Sequence, residues 1–453
     1  MNTNKHSPVI GLEVHVELKT KSKMFCGCSA DYFGQKPNSY TCPVCLGLPG
    51  ALPLPNKKAI EWCILIGLAL NCKIPLFSKF DRKNYFYPDL PKGYQISQYE
   101  EPFCIKGWIN IQNSKKIRIR RVHMEEDTGK LLHEIVDGER ISLIDFNRSG
   151  VPLVEVVTDP DFESGVEVVD YLKKLQQIVR FLGVSDADME KGQMRLEPNV
   201  SLQKRNITNT TNKQILPNYK VEVKNINSFR FAEKAIDYEI NRQKKVLESG
   251  KIPIQETRGW DEKKQTTVSQ RSKEEAHDYR YFPEPDIPPI RWTTSQISNL
   301  KSQIGEMPEQ KSERFQKDFG LTAYDSEILT REKSTSDYFE ETIRVSHKAS
   351  TLNDQVLSKK IANYIINRKI NINKITPSEL IKLITENDKK TQLDENKLSE
   401  VINQVLSENQ KAVEDYRSGK VQVIGFLIGK VRMHFQKADS NQIRNAIEES
   451  LKK

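Results

Sequence analysis

Between Ile10 and Leu18 apolar and polar residues alternate without a break, with Leu12, Val14, Val16 and Leu18 on one side and Glu13, His15 and Glu17 on the other. A period of two belongs to a β-strand, because successive side chains point to opposite faces. The segment predicts a strand with one core face and one face of carboxylates and imidazole. Lys115 to Val122 alternates Ile with basic residues, and Ile141–Phe146 and Val151–Val157 are Val- and Ile-rich stretches joined by the turn Asn147–Gly150. All three read as strands. Glu190–Ser201 and Lys220–Asn225 add two strand-like segments with polar groups on one face, which predicts a concave polar sheet surface.

Helical patterns are interleaved with these strands. Asn56 precedes Lys57–Leu70, whose apolar residues run nearly all round, as in a buried helix with an Asn cap. A second helix is expected over Val166–Leu182, stopping at Gly183, and a third from Asn227-Ser228 to Gly250. Pro283–Pro289 is too rich in proline to continue a helix or a central strand, so a boundary falls there. Beyond it the spacing is helical, with no strand pattern and no cysteine. Lys389-Lys390-Thr-Gln-Leu-Asp reads as a linker before a small helical bundle around Gly425–Gly429. The fold class predicted is α+β, with a mixed or antiparallel sheet domain over 1–292, a helical domain over 293–390 and a small helical tail over 391–453.

Charge and cysteine usage sharpen this picture. Lys and Arg outnumber Asp and Glu by 70 to 61, a net +9 that suits a polyanionic partner such as nucleic acid without requiring one. No apolar run approaches the roughly 18 residues of a membrane span, so no membrane association is expected. Seven cysteines, four of them in tight pairs, fit reduced thiols and a cytoplasmic or organelle-matrix setting. Cys26, Cys28, Cys42 and Cys45, with thirteen residues between the pairs, can bring four thiolates to the corners of a tetrahedron. That is the demand of a closed structural Zn²⁺ site; the alternative is paired thiols that bind nothing.

Two further stretches carry candidate chemistry. Lys79 to Gln95 interleaves Arg82, Lys83 and Lys92 with Tyr85, Phe86, Tyr87 and Tyr94, and Lys273–Phe282 repeats the mixture. Cation beside ring holds phosphates and stacks bases, although aromatics near Pro and Gly also pack turns. His123-Met-Glu125-Glu126-Asp127 ends a predicted strand and is followed by Gly129 and Lys130. Set beside the Glu13–His15 strand, this acidic triplet can supply the remaining ligands of a mixed oxygen and nitrogen set for a hard cation, the alternative being a solvated acidic face.

Ile10–Leu18, Cys42–Pro53, Arg82–Gln98, His123–Lys130, Asp145–Glu155 and Ser272–Asp286 together resemble the B subunit of the tRNA-dependent amidotransferases. Arg82-Lys-Asn-Tyr-Phe-Tyr-Pro-Asp89 and Asp278-Tyr-Arg-Tyr-Phe-Pro-Glu-Pro-Asp286 are the most specific segments. The resemblance implies a cradle-shaped catalytic domain, a helical domain and a tail domain that grips tRNA. It implies ATP and Mg²⁺ as cofactors and misacylated tRNA, Glu-tRNA(Gln) or Asp-tRNA(Asn), as substrate. The implied partners are an amidase, the A subunit, which releases ammonia from glutamine, and the small C subunit of the same enzyme. By the same resemblance Glu13, His15 and Glu125, with Glu126, would hold Mg²⁺, and Lys83 and Arg195 would contact phosphate. Tyr85, Tyr87 and Asn225 would face the nucleotide or the aminoacyl end of the tRNA, and the four cysteines would bind zinc. The chain departs from the family's usual pattern at Leu196-Glu197-Pro198, where Cys-Asp-Ala is common, and it is shorter between Ile375 and Ser399. Competing readings are a non-catalytic zinc-stapled RNA-binding protein and a metal-dependent hydrolase acting alone; neither the activated nucleophile of the second nor a P-loop is visible.

Overall fold

β1 (His6–Glu17) is the strand that the opening alternation predicts, and Leu12, Val14 and Val16 are at most 1% exposed. The computed structural model describes residues 6–204, 216–272, 278–347, 354–391, 395–435 and 440–452. After β1 come β2 (Phe77–Ser78), β3 (Asp81–Asn84), β4 (Tyr94–Ser97), β5 (Cys104–Asn110) and β6 (Lys116–Glu126). They are followed by β7 (Lys130–Val136), β8 (Glu139–Asp145), β9 (Pro152–Thr158), β10 (Met194–Lys204) and β11 (Val221–Lys224). β12 (Glu256–Asp261), β13 (Thr266–Ser272), β14 (Phe282–Pro283) and β15 (Ile290–Arg291) complete the described strands. Eight of them form one sheet in the order β13-β12-β11-β10-β1-β9-β6-β5, antiparallel except where β11 meets β12.

Three helices cover the apolar face of that sheet. Ile60 and Ile64 of α1 (Lys57–Ala69), Leu172 and Leu175 of α2 (Gly165–Phe181) and Ala232 and Ile236 of α3 (Phe229–Glu248) share one core with Leu12, Val14 and Val16. Asn56, Ser164 and Ser228 accept backbone N–H groups at the starts of these helices. Gly183 and Gly250 follow α2 and α3 with φ of +71° and +78°, a conformation that costs glycine nothing. Each buried Leu or Val contributes about 1.5–3 kcal/mol, so the sheet cannot turn over. Glu13 and His15 are thereby committed to the opposite face.

Two local expectations change. The Ile141–Phe146 stretch, β8, pairs with β7 in a hairpin of its own rather than with the following strand, and β9 returns to lie between β1 and β6. Among the described residues no hydrophobic cluster includes the hairpin, and Ile135 stands 73% exposed. Past the proline-rich run, where the spacing predicts no strand, Ile290–Arg291 pairs with Phe77–Ser78. The run itself begins in β14, which joins β3 and β4 in a three-stranded sheet.

By its contacts the chain divides into a unit up to Lys311, with Thr330–Lys333, and a unit of Ser312–Leu329 and Ser334 onward. All described regular elements of the second are helices, with one core around Phe315, Phe339, Ile361 and Leu380 and another around Ile402, Leu427, Val431 and Ile443. Lys389, Lys390 and Thr391, read as a linker, continue the helix Pro377–Thr391, and residues 392–394 lie outside the described residues. Among the described residues no helix is long and apolar enough to cross a membrane.

Candidate functional site

The strand register builds the site. His123 of β6, Glu155 of β9, His15 of β1 and Arg195 of β10 are successive partners across four strands. Their side chains form one polar row because direct partners in antiparallel strands project to the same face. His15 Nε2 lies 3.7 Å from both Glu125 Oε2 and Glu155 Oε2. One ligand atom from each of these three residues falls within 4.8 Å of the others, close enough for a single metal ion to bind all three. His123 Nε2 sits 3.1 Å from Glu155 and 3.6 Å from Glu125, and Lys83 Nζ is 3.8 Å from Glu125. Ser97 Oγ and Gln95 Nε2 donate to the two Glu125 oxygens at 2.9 and 3.3 Å.

Burial should raise both acids, but the cations around them prevail. Against its desolvation, the Lys83 ammonium and then His123 and His15 hold Glu125 well below the usual carboxylate range. Glu155 is likewise buried, yet His123 leads the groups that bring it down to about 2. Burial would lower Lys83 and His123; the carboxylates, Glu125 foremost for the first and Glu155 for the second, instead raise them. Two ionised acids beside imidazoles and an ammonium form an electrostatically balanced group at the floor of the sheet.

The acidic triplet does not act as one ligand loop, as neighbouring strand residues point to opposite faces. Glu125 joins His15, whereas the Glu126 carboxylate meets Lys92 Nζ at 2.6 Å and accepts the Ile96 N–H at 2.9 Å. Asp127 takes a third direction, accepting from Arg195 at 2.6 Å with Arg148 at 3.7 Å. The expected set of Glu13, His15, Glu125 and Glu126 is therefore divided, and Glu155 rather than Glu126 is the third member beside His15. Glu13 belongs to a second group with Glu197 and Glu222, whose carboxylate oxygens also fall within 4.8 Å of one another. Asn199 donates to Glu13, Thr257 to Glu222, and Lys224 lies 3.1 Å from Glu197. Burial, reinforced by Glu155 and Glu197, raises Glu13; Lys224 leads the groups that lower Glu197 against its own burial. A cleft of about 310 Å³ opens beside Glu13, lined by Gly11, Asn199, Ser201 and Lys220 among others.

Tyrosines flank the first group. Tyr85 meets Tyr279 edge-on at 5.9 Å, Tyr279 meets Tyr281 at 6.1 Å, and Tyr281 stacks on Tyr99 at 4.3 Å and 12°. Lys83 lies 5.1 Å from the centre of the Tyr279 ring. Distant motifs meet here because β14 pairs with β3, and Glu284 grips Arg82 through two hydrogen bonds of 2.7 and 2.9 Å. Residues 273–277, including His277, lie outside the described residues. Tyr87 is 56% exposed, and Asn225 stands exposed at the end of β11 with φ of +61°. Glu155 lies inside a strand that the sequence marks only by its Val and Ile content, while His123, Glu222, Tyr279 and Tyr281 lie inside polar or cation-and-ring stretches that give them no role of their own. A lone Glu inside Val151-Pro-Leu-Val-Glu-Val-Val157 was the available signal for the first of them.

Cys26, Cys28, Cys42 and Cys45 converge, with all four Sγ atoms within 4.8 Å of one another and Cys42 to Cys45 at 3.8 Å. A tetrahedron of thiolates about 2.3 Å from zinc has edges of about this length. The Cys26 thiol, then the Cys42 N–H and the Lys23 ammonium, hold the Cys45 thiol down at about 4 against its burial. Lys23 itself is fully buried, its ammonium donating to the Tyr40 and Phe146 carbonyls.

Fold and site define an α+β protein with clustered carboxylates and imidazoles on one sheet face and a thiol cluster beside the sheet. Residues 8–298 match the family described as the GatB/GatE catalytic domain, and residues 335–451 the one described as the GatB domain. Proteins named as the B subunits of aspartyl/glutamyl-tRNA(Asn/Gln) amidotransferases are similar along nearly their whole length. The one from Thermodesulfovibrio yellowstonii is 45% identical over 96% of this chain and 97% of its own. Those from Thermotoga maritima and Thermomicrobium roseum are each 43% identical, over 99% and 98% of both chains respectively. The chain belongs to this family of amidotransferase B subunits.

Proposed function

We propose that this chain is the subunit that activates and amidates the side-chain carboxylate of Glu on Glu-tRNA(Gln), of Asp on Asp-tRNA(Asn), or of both. A carboxylate does not accept ammonia directly because its leaving group would be oxide. One carboxylate oxygen attacks the terminal phosphorus of ATP, ADP leaves, and an acyl phosphate results. Ammonia, delivered by a partner amidase from glutamine, then attacks the acyl carbon, and inorganic phosphate departs with the bonding electrons. The products are the amide, ADP and phosphate.

The observation that carries this reading is the convergence of His15, Glu125 and Glu155 on one spot beside Lys83. Two ionised carboxylates and an imidazole fit a divalent cation such as Mg²⁺, which would neutralise phosphate charge where phosphoryl transfer needs it. Glu13 with Glu197 and Glu222 offers an all-oxygen set one row away. Lys83, Ser97 and Gln95 keep Glu125 ionised and aimed, and Asp127 fixes Arg195 at the rim. Tyr85, Tyr279 and Tyr281 wall the group and limit water around the acyl phosphate. Zinc on the four cysteines would act structurally, as no ligand position is left open. The proposal extends to a small third subunit, in a cytoplasmic or organelle-matrix setting.

Reconstitution with an amidase and a small third protein of the complex tests it. Glutamine, ATP and misacylated tRNA should yield the amide with one ADP per turnover, and Glu125→Gln should abolish that while leaving the fold intact. Amidation without ATP, or undiminished turnover by the variant, would overturn the reading.

A further inference from the structure

The polar face carries several cations, and the protein has already paired almost all that border the His15, Glu125 and Glu155 group. Lys83 faces Glu125 at 3.8 Å, Arg195 faces Asp127 at 2.6 Å and Lys224 faces Glu197 at 3.1 Å. Arg121 differs. Among the described residues its guanidinium has no carboxylate partner, and its Nε is buried without an acceptor. The contact it makes is with the Tyr99 ring, 5.7 Å away, on the side chain that stacks against Tyr281. Buried polar donors without partners are costly, and guanidinium forks match phosphate oxygens two at a time.

Its direction is built into the strand. On β6 the core residues are Ile117 and Ile119, then Val122 and Met124, so the period of two slips by one. The register against β9 shifts at the same place, between Ile119 and Arg121. Bulges of this kind redirect side chains, and here the slip puts Arg121 on the face of His123 and Glu125 rather than in the core. Glu125 lies four residues further along that face, about 13 Å by strand rise. Tyr281 feels both groups: burial pushes its hydroxyl up to about 12, with Lys83 and Arg121 opposing and Glu125 adding to the rise.

We propose that Arg121, turned to the polar face by the β6 bulge and braced by Tyr99 and Tyr281, grips the terminal phosphoryl group of the nucleotide at the edge of the His15, Glu125 and Glu155 group. This rests on the ATP-dependent reading above and deepens it. Phosphate is the shared chemistry of ATP and of the tRNA backbone; the terminal phosphoryl is favoured because Lys83 and the metal-competent acids border the same tyrosines.

The test uses the assembled complex with Arg121→Lys and Arg121→Gln, after checking that both melt like the parent. Calorimetric affinities are measured for adenylyl-imidodiphosphate, for ADP and for Glu-tRNA(Gln). Loss of a charge-assisted bidentate contact should weaken the triphosphate analogue by about 10- to 100-fold in Arg121→Gln and less in Arg121→Lys. ADP and tRNA affinities should hold. Unchanged analogue affinity in both variants overturns the proposal, as does an equal loss for ADP, which would put Arg121 on an inner phosphate. Loss confined to tRNA also overturns it and moves Arg121 to the tRNA backbone. If the parent complex binds no analogue at all, the fault lies with the ATP-dependent reading itself.

Discussion

His15 and Glu155 are direct partners across β1 and β9, their side chains 3.7 Å apart although 140 residues separate them in the chain. That pairing makes Glu155, not Glu126, the acid that completes the group with His15 and Glu125.

Glu155→Gln and Glu126→Gln should therefore separate metal binding from stability. The first is expected to weaken Mn²⁺ or Mg²⁺ affinity about 10- to 100-fold with little change in fold, as loss of a ligand or its orienting partner does. The second should leave metal affinity intact and cost about 1–3 kcal/mol, because the Lys92 ammonium and the Ile96 N–H lose a charged acceptor. Equal metal affinity in parent and Glu155→Gln, read by calorimetry, would remove Glu155 from the ligand set.

The latch between Arg82 and Glu284 should matter to both stability and substrate binding. Glu284 is 3% exposed and Arg82 also pairs with Asp286 at 3.2 Å, so Glu284→Gln removes the closer of two charge partners and should cost about 1–3 kcal/mol. The loosened segment carries Tyr279 and Tyr281, so the KM for ATP should rise as well. A variant that melts and turns over like the parent would contradict the assignment of this ion pair as the clamp.

Removal of zinc has a clear expectation. Purified protein should contain one zinc per chain, and Cys42→Ser or a strong chelator should lower the melting temperature by several degrees. Metal analysis that finds no zinc in protein prepared without chelator would leave the cluster as four free thiols.

Glu17 supplies the pH dependence. Burial, with Asp127 adding and the Tyr32 hydroxyl opposing, pushes its carboxyl up to about 7. The folded state thus binds this proton more tightly than the unfolded state, whose carboxyl titrates near 4.5. Its contribution is full below about pH 4.5 and is lost as the pH rises to about 7, a change of order 3 kcal/mol at most. Glu17→Gln, which can still accept from Tyr32, should flatten that part of the stability curve and melt higher than the parent at pH 8. An unchanged curve would show that Glu17 ionises normally.

Much of this is legible in the residues. Strand β1 and its two faces, the three capped helices of the sheet domain and the cysteine spacing follow from short-range rules, because a period of two, an Asn or Ser cap and a close thiol pair are local properties. The slip of Ile117 and Ile119 to Val122 and Met124 is equally present in the letters, though its meaning depends on which strand lies alongside. The pairing of β7 with β8 escapes for the same reason: Val and Ile content marks a strand but does not name its partner.

What the sequence determined alone was the set of elements and the chemical types offered to each face, since both arise from neighbours a few residues apart. Which carboxylate stands beside which imidazole was decided by tertiary structure. Strand order and register bring residues 13, 15, 123, 125, 155, 195 and 197 onto one surface, and burial together with the resulting charges sets which of those acids are ionised.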